Sequence, residues 1–452
     1  MQLVIAEKPS VARDLARVLG LKASGRNSLE GAALVITWCI GHLVELEEPA
    51  AYDPRWKAWR MDTLPMIPPV FKLRPVAGTR DQLRVVCDLL RERRFTEVVN
   101  GCDAGREGEL IFRYVYELAG SRLPVRRLWI SSLTDEAIRR GFAGLRPGAA
   151  YDPLADAARS RSEADWLVGM NATRAVTMQF RATGAGGGTT QGKSGMPPVY
   201  SIGRVQTPTL AILVRREQAI RAFEPRDYWE VRGTFSGDAH PFTALWTTRG
   251  ESGKGAITRL AVRAHADQVV MRCADSAAAA EQQGGGGPVV ESLTQKQTRE
   301  PPPQLFDLTS LQRTANRRYG FSATRTLEAA QALYERHKLL TYPRTDSRYL
   351  PQDLVGELPR LFAGLAKLPA YAEFAEPLLG GDAGALGRSR RIFDAAKVHD
   401  HHAIIPTGKV PAGAALGPDE QRLYDLVVRR FLGAFHPDAE FALTEAVIRV
   451  GL

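Results

Sequence analysis

Apolar residues in this chain follow two rhythms: short unbroken runs, and a spacing of three to four. The first switch between them comes at the N-terminus. Leu3-Val4-Ile5 is a run of the kind that makes a short buried strand, and it leads into Ala6-Glu7-Lys8-Pro9. Ser10 stands where a helix cap is expected, with Val11, Leu15, Val18 and Leu19 at helical spacing and Gly20 as the stop. The same order recurs at Glu97-Val98-Val99, a second short strand followed by Gly101-Cys102-Asp103-Ala104-Gly105-Arg106-Glu107-Gly108-Glu109. A helix follows, with Leu110, Tyr114 and Leu118 on one face and Gly120 at its end. Two strand–loop–helix units of this kind predict an α/β start.

Further along, residues 155–175 read as a helix bearing Arg159, Arg161, Trp166 and Arg174. Gly184 through Gly188 and the Thr/Ser/Gly/Lys run after it read as a loop, as does the stretch from Gln282 to Gly287. Trp229 to Phe235 alternates like a strand, with more strand signal up to Leu245-Trp246. Pro301-Pro302-Pro303 is a stiff linker. After it, Asp307 or Thr309 caps a helix through Leu311, Ala315 and Tyr319 that stops at Gly320. Ser322 caps the next, through Leu327, Ala330, Leu333 and Tyr334. Arginines on the polar side of this helix–turn–helix pattern suit a DNA-facing element, and equally a two-helix packing unit with solvated charges. There is no internal repeat.

Composition sharpens this picture. The 452 residues hold 60 Lys and Arg against 50 acids, a net charge of +10, and are 44 % hydrophobic, enough for several cores. A pI near 9.5 favours a polyanionic partner and salt-dependent binding. The surplus is uneven, with eight Lys or Arg against four acids between Asp307 and Arg348. No run of ~18 apolar residues and no signal-peptide pattern is present, which predicts a cytoplasmic protein without a membrane span. Cys39, Cys87, Cys102 and Cys273 lack paired Cys-x-x-Cys spacing and read as free, buried thiols rather than a zinc site or a disulfide framework.

Two places carry chemistry. Glu7, Asp103, Glu107 and Glu109 lie just past the carboxyl ends of two predicted strands, where α/β sheets place their ligands. Carboxylates gathered there repel one another unless a hard cation or a shared proton intervenes, and Mg²⁺ is the natural partner. The second place is Thr341-Tyr342-Pro343-Arg344-Thr345-Asp346-Ser347. A tyrosine that attacks a phosphodiester needs help to ionise from a phenol pKa near ~10, and a cation to neutralise the phosphate. Arg344 is suited to both tasks. Tyr-Pro-Arg also occurs in ordinary surface turns, so this segment gains its weight from the acids.

With these motifs on the page, the chain resembles the type IA DNA topoisomerases, in their bacterial topoisomerase III branch. Glu7-Lys8 with the acid run resembles that family's Toprim domain, and Tyr342 to Ser347 its active-site tyrosine segment. Thr37 to Leu46, Ser201 to Leu210 and Asp400 to Thr407 match in order, so the resemblance spans nearly the whole chain. One departure stands out. The family's Asp-x-Asp-x-Glu reads Asp103-x-Gly105-x-Glu107 here, which removes a carboxylate and weakens a two-metal reading.

The resemblance implies a multidomain α/β and α+β fold, a Rossmann-like Toprim domain followed by the type IA arch domains. The expected parts are Toprim at 1–148, the first part of a single-strand groove domain at 149–222, and part of a β-rich arch support at 223–292. A helical domain with the tyrosine follows at 293–425, and an incomplete return into the β-rich domain at 426–452, where a strand is expected to lack partners.

For function, the resemblance implies ATP-independent cleavage and religation of single-stranded DNA through a 5′-phosphotyrosine on Tyr342. The absence of a Walker-type sequence agrees with this. Arg344, Lys8 and His401 would hold the phosphate, with His402 structural, and Glu7 would shuttle a proton at the 3′-oxygen. Mg²⁺ would sit on Glu7, Asp103 and Glu107, while Arg161, Asp165, Arg204 and Gln206 would line the strand's groove. Trp166 would either stack a base or fill core. A monomer is expected, with single-stranded DNA as partner and any helicase unidentified. Two other readings stay open: a shortened chain that binds single strands without cutting them, and another Toprim phosphodiester enzyme, which would give Tyr342 and Arg344 no task.

Overall fold

The N-terminal apolar triplet forms the middle of the main sheet. In the computed structural model, which describes residues 1–21, 27–183, 198–236, 240–249, 256–282, 287–381, 389–410 and 416–451, that strand is β1 (Gln2–Ala6). The loop read at 184–188 and residues 283–286 of the one read from Gln282 to Gly287 lie outside the described residues. Helix α1 (Pro9–Val18) follows, then β2 (Ser28–Glu30) and β3 (Leu34–Trp38). A small ladder pairs β4 (Val44–Leu46) with β5 (Leu73–Pro75), with the one-turn α2 (Pro49–Tyr52) between them. Next come α3 (Arg80–Arg91), β6 (Glu97–Gly101), α4 (Arg106–Ala119), β7 (Val125–Arg127), α5 (Asp135–Ala143) and β8 (Arg146–Pro147).

The six-stranded sheet runs β2-β3-β1-β6-β7-β8, parallel from β3 through β7 and antiparallel at both edges. Alternation along β1 decides the layers. Leu3 and Ile5 join α3 and α4 in one core, while Val4 and Ala6 join α1 and α5 in the other. The expected helix at 155–175 is longer, α6 (Asp152–Thr183), and packs along α4.

The start of α1 corrects the sequence reading. Lys8, not Ser10, is the cap residue, because Pro9 opens the helix with its fixed φ and no N–H to satisfy. The predicted end of α4 matches: the helix stops at Gly120, whose φ of 64° needs no Cβ.

By its contacts the chain divides into two compact units, Met1–Leu210 with Pro302–His436, and Ala211–Pro301 with Pro437–Leu452. In the first, α7 (Gln206–Arg221) begins after the Ser201 to Arg204 turn. The second holds the paired β9 (Arg232–Phe235) and β10 (Phe242–Leu245), the short β11 (Thr248–Arg249) and β12 (Ala256–Ile257), α8 (Arg263–Gln282) and β13 (Val289–Glu300). In the first unit, α9 (Leu308–Tyr319) is capped by Asp307 in a box with Ser310, and α10 (Ala323–Glu335) by Ser322. Both pack with α11 (Leu358–Ala366), α12 (Ala372–Leu379) and the helix Pro418–Ala434 around Phe306, Phe321, Phe362 and Phe431. Two cations of the helix pair are tied down here, Arg325 to Asp419 and Arg336 to Glu420.

Three expectations about the last domains need correction. The 292/293 boundary cuts through β13, and the 425/426 boundary cuts through the helix Pro418–Ala434. The final strand, β14 (Ala439–Arg449), does not lack a partner: it pairs antiparallel with β13 from Val289↔Arg449 to Glu300↔Ala439.

Candidate active site

Three chain segments meet at the carboxyl end of the sheet. The first leaves β1 as Glu7-Lys8. With Lys8 extended ahead of α1 and making no capping bond, its ammonium reaches across to the next strand. Lys8 Nζ lies 3.0 Å from Glu7 Oε1 and 2.6 Å from Asp103 Oδ2. The second segment leaves β6, where the Asp103 N–H donates to Glu7 Oε2 at 3.3 Å. This loop folds so tightly onto α4 that a Cβ on Gly108 would stand 2.3 Å from the Asp103 carbonyl oxygen.

Beneath the loop lies a residue that sequence reasoning did not single out. Arg127, 1 % exposed, donates to the carbonyls of Asn100, Cys102, Asp103 and Leu128. Its Nε is 3.0 Å from Glu109 Oε2. Glu109 also accepts from Asn100 and from Arg113 at 2.9 Å. Glu109 is therefore a buried brace for the loop and not one of the convergent acids. Cys102 is a buried thiol pushed up by hydrogen bonding with Cys39 and by burial, which leaves it inert.

The third segment carries the tyrosine. Residues 341–345 are bonded to residues 401–407: the Thr341 N–H donates to the Ile405 carbonyl at 3.0 Å, and Thr341 Oγ1 accepts from the Ile405 N–H at 2.9 Å. Thr345 Oγ1 donates to the His401 carbonyl at 2.9 Å. The tyrosine and histidine motifs thus form one piece. The His401 ring packs tilted against Tyr342 with centroids 4.3 Å apart, and its Nε2 is 3.2 Å from Asp103 Oδ2. Lys8 Nζ stands 4.4 Å from the Tyr342 ring centroid, and Tyr334 packs edge-on at 5.4 Å. Tyr342 and His401 also line a cavity of about 840 Å³ together with Lys8 and Asp103.

Electrostatics separate the two acids. Burial pushes the Glu7 carboxyl up, the Asp103 charge adds to this, and Lys8 only partly offsets them. Burial would raise Asp103 too, but His401 and Lys8 hold it well below the usual carboxylate range. Lys8 keeps its proton firmly, since Asp103 and Glu7 outweigh its burial. The pair is one protonatable acid beside one fixed charge, the arrangement that acid–base work needs.

The expected cation triad is not assembled. Lys8 sits between Glu7 and Asp103, and the Glu107 side chain, 65 % exposed, is hydrogen-bonded to His42 Nε2. That bond lowers Glu107 and raises His42, another residue without a role in the sequence reading. Among the described residues no group of three or more His, Cys, Asp or Glu is arranged to hold a metal. Arg344 is exposed and makes no hydrogen bond or ion pair among the described residues. His402 turns away from the tyrosine: its Nδ1 donates to the Ala403 carbonyl at 2.8 Å, and burial lowers it to about 4.

Of the expected groove residues, Arg204 donates to Asp165 Oδ1 at 2.9 Å, and Arg161 lies 3.9 Å from Asp165 Oδ2 one turn away. Gln206 donates to the Ser201 carbonyl at 3.2 Å. The Arg161 charge also acts on Glu107, which links this cluster to the acid run. Trp166 belongs to the core: it is 7 % exposed, its Nε1–H donates to the Glu47 carbonyl, and Tyr52 and Phe71 pack edge-on to it.

Known proteins resemble this chain in sequence and in fold. Residues 2–133 match the Toprim domain model, and residues 149–451 match the bacterial DNA topoisomerase model. DNA topoisomerase 3 of Shouchella clausii is 42 % identical over 441 residues, covering 98 % of this chain and 56 % of that protein. DNA topoisomerase 3 of Bacillus subtilis is 40 % identical over 449 residues, covering 99 % of this chain and 56 % of that one. The chain thus spans a little over half the length of these curated relatives. The solved full-length topoisomerase I of Thermotoga maritima shares the fold, with a TM-score of 0.61 at 21 % identity, covering 99 % of this chain and 63 % of that one. With the Toprim sheet, the tyrosine segment and both family matches in agreement, the chain belongs to the type IA DNA topoisomerases, in the topoisomerase III branch.

Proposed function

We propose that this chain cuts and reseals single-stranded DNA, with Tyr342 as nucleophile. The observation that carries the reading is the placement of the Tyr342 ring beside Lys8 and His401, both of which are bonded to Asp103. Type IA topoisomerases bind single-stranded DNA, and in this reading the Arg161, Asp165, Arg204 and Gln206 cluster takes the strand leading to the tyrosine.

Tyr342 Oη gives up its proton to solvent and bonds to phosphorus as the P–O3′ bond breaks, leaving a 5′-phosphotyrosine and a 3′-oxygen. Glu7, the acid held up by burial, protonates that oxygen and takes the proton back on resealing. Lys8 and His401 neutralise the phosphate, and the exposed Arg344 swings onto it. The covalent link keeps the bond energy, so no nucleotide is needed. Toprim domains in general bind Mg²⁺. Glu7, Asp103 and Glu107 do not fit one as they stand, with Lys8 between two of them and His42 on the third. No helix among the described residues is long and apolar enough to cross a membrane, and we place the chain in the cytoplasm, acting as a monomer.

The test uses one oligonucleotide labelled at its 5′ end in one tube and its 3′ end in another, with wild type and Tyr342→Phe. Protein-linked label from the 3′-labelled strand alone, lost in the variant, is the expected result. Binding without linkage sinks the reading.

A further inference from the structure

The family pattern puts a carboxylate at position 105, and this chain has glycine there. The space is nevertheless filled. A Cβ built on Gly105 would lie 2.0 Å from Asp400 Oδ1, 2.4 Å from its Cγ and 2.6 Å from Oδ2. Real Cβ atoms essentially never come within 3.0 Å of another group, so a side chain at 105 would push the Asp400 carboxylate, the far end of an exposed side chain, out of this place. Backbone strain is not the reason for the glycine, since its φ of −160° is extended and open to any residue. What Gly105 supplies is room.

Asp400 reaches this spot from the tyrosine-bearing side, and it immediately precedes His401, whose ring touches Tyr342 and Asp103. The carboxylate lies at the start of α4, where Gly105 is the cap residue and the unpaired N–H groups of the first turn favour negative charge. Burial and the charges of Asp103 and Asp346 push its carboxyl up, while His401 and His399 pull it down.

We infer that Asp400 supplies, from the opposite face of the site, the carboxylate that the acid run lacks at position 105, and that Gly105 is the seat that admits it. Asp400 is a positioning residue: once seated, it fixes the peptide that carries His401 and so sets the imidazole against the nucleophile. Its carboxylate is in place only while the tyrosine face and the Toprim face meet. The inference rests on the function proposed above.

A side-chain swap tests it. Gly105→Ala should slow formation of the 5′-phosphotyrosine link on the order of a hundredfold, the cost of an ångström-scale misplacement, with affinity for the single strand unchanged. Asp400→Gly should slow it less. The double variant Gly105→Asp with Asp400→Gly should return close to the wild-type rate, a rescue that a general folding defect would not give. Gly105→Ala at the wild-type rate, or a double variant no faster than the slower single variant, overturns the seat. If wild type itself forms no link, the proposed function fails, and thermal melting still reads the seat. Gly105→Ala should then lower Tm in the parent and not in the Asp400→Gly background, and equal losses in both backgrounds refute it.

Discussion

Asp103 and Glu109 lie six residues apart in one acid run and lead opposite lives. Glu109 is sealed between Arg127, Arg113 and Asn100, every contact made within the Toprim fold. Asp103 is bonded to Lys8 on its own side and to His401 on the tyrosine side. The first acid holds a loop still, while the second sits where two faces meet. Charge and burial alone do not distinguish these two acids; what separates them is where their partners lie, all within the Toprim fold for Glu109 and on both faces for Asp103.

Breaking the brace should have the largest effect. Arg127→Met leaves Glu109 buried without its main partner and should cost roughly 3–5 kcal/mol of stability, read in denaturant melts. A loss below that of an ordinary surface substitution would dissolve the contrast. Lys8→Ala should do the reverse, keeping most of the fold while lowering the rate of strand linkage on the order of 10²–10³-fold, the usual effect of removing one charge-stabilising donor.

A third prediction uses the histidine pair. His402 has a folded pKa of about 4 against the ordinary 6.5, so the unfolded chain binds its proton more readily. Stability should therefore be full above pH 6.5 and fall as the pH drops toward 4, by roughly 2 kcal/mol given the residue's partial exposure. His402→Gln should flatten that part of the pH–stability curve; an unchanged curve would deny His402 its structural role. The smallest effect belongs to the groove. Arg204→Ala should weaken single-strand binding a few-fold and reduce the slope of log K against log salt by about 0.7, with Tm unmoved.

Much of the sheet and part of the site could be read from sequence, because those signals were local, whereas the Arg127–Glu109 brace could not. Apolar triplets gave β1 and β6, and Asp307, Ser322, Gly120 and Gly320 marked their helix ends. Lys8, Asp103, Tyr342 and His401, named from motifs, do lie together. The acid run misled where spacing along a strand end was carried into a helix. Glu107 and Glu109 are two apart, and residues so spaced do not share a helix face. One therefore meets His42 while the other is buried on Arg127. Ser10 misled because Pro9 starts the helix two residues earlier than a cap at Ser10 would. The pairing of β13 with β14, and of Asp400 with Gly105, joins segments more than a hundred residues apart, beyond any local pattern.

The stitching of residues 341–345 to 401–407 has a mechanical consequence. Tyr342 and His401 are tied into one piece, while Glu7, Lys8 and Asp103 belong to the sheet. In the proposed reaction, parting of the two pieces would leave the phosphate with the first and the proton donor for the 3′ end with the second. Each side of an open break would then hold half of the groups that act on it, and the strand would be rejoined where it was cut.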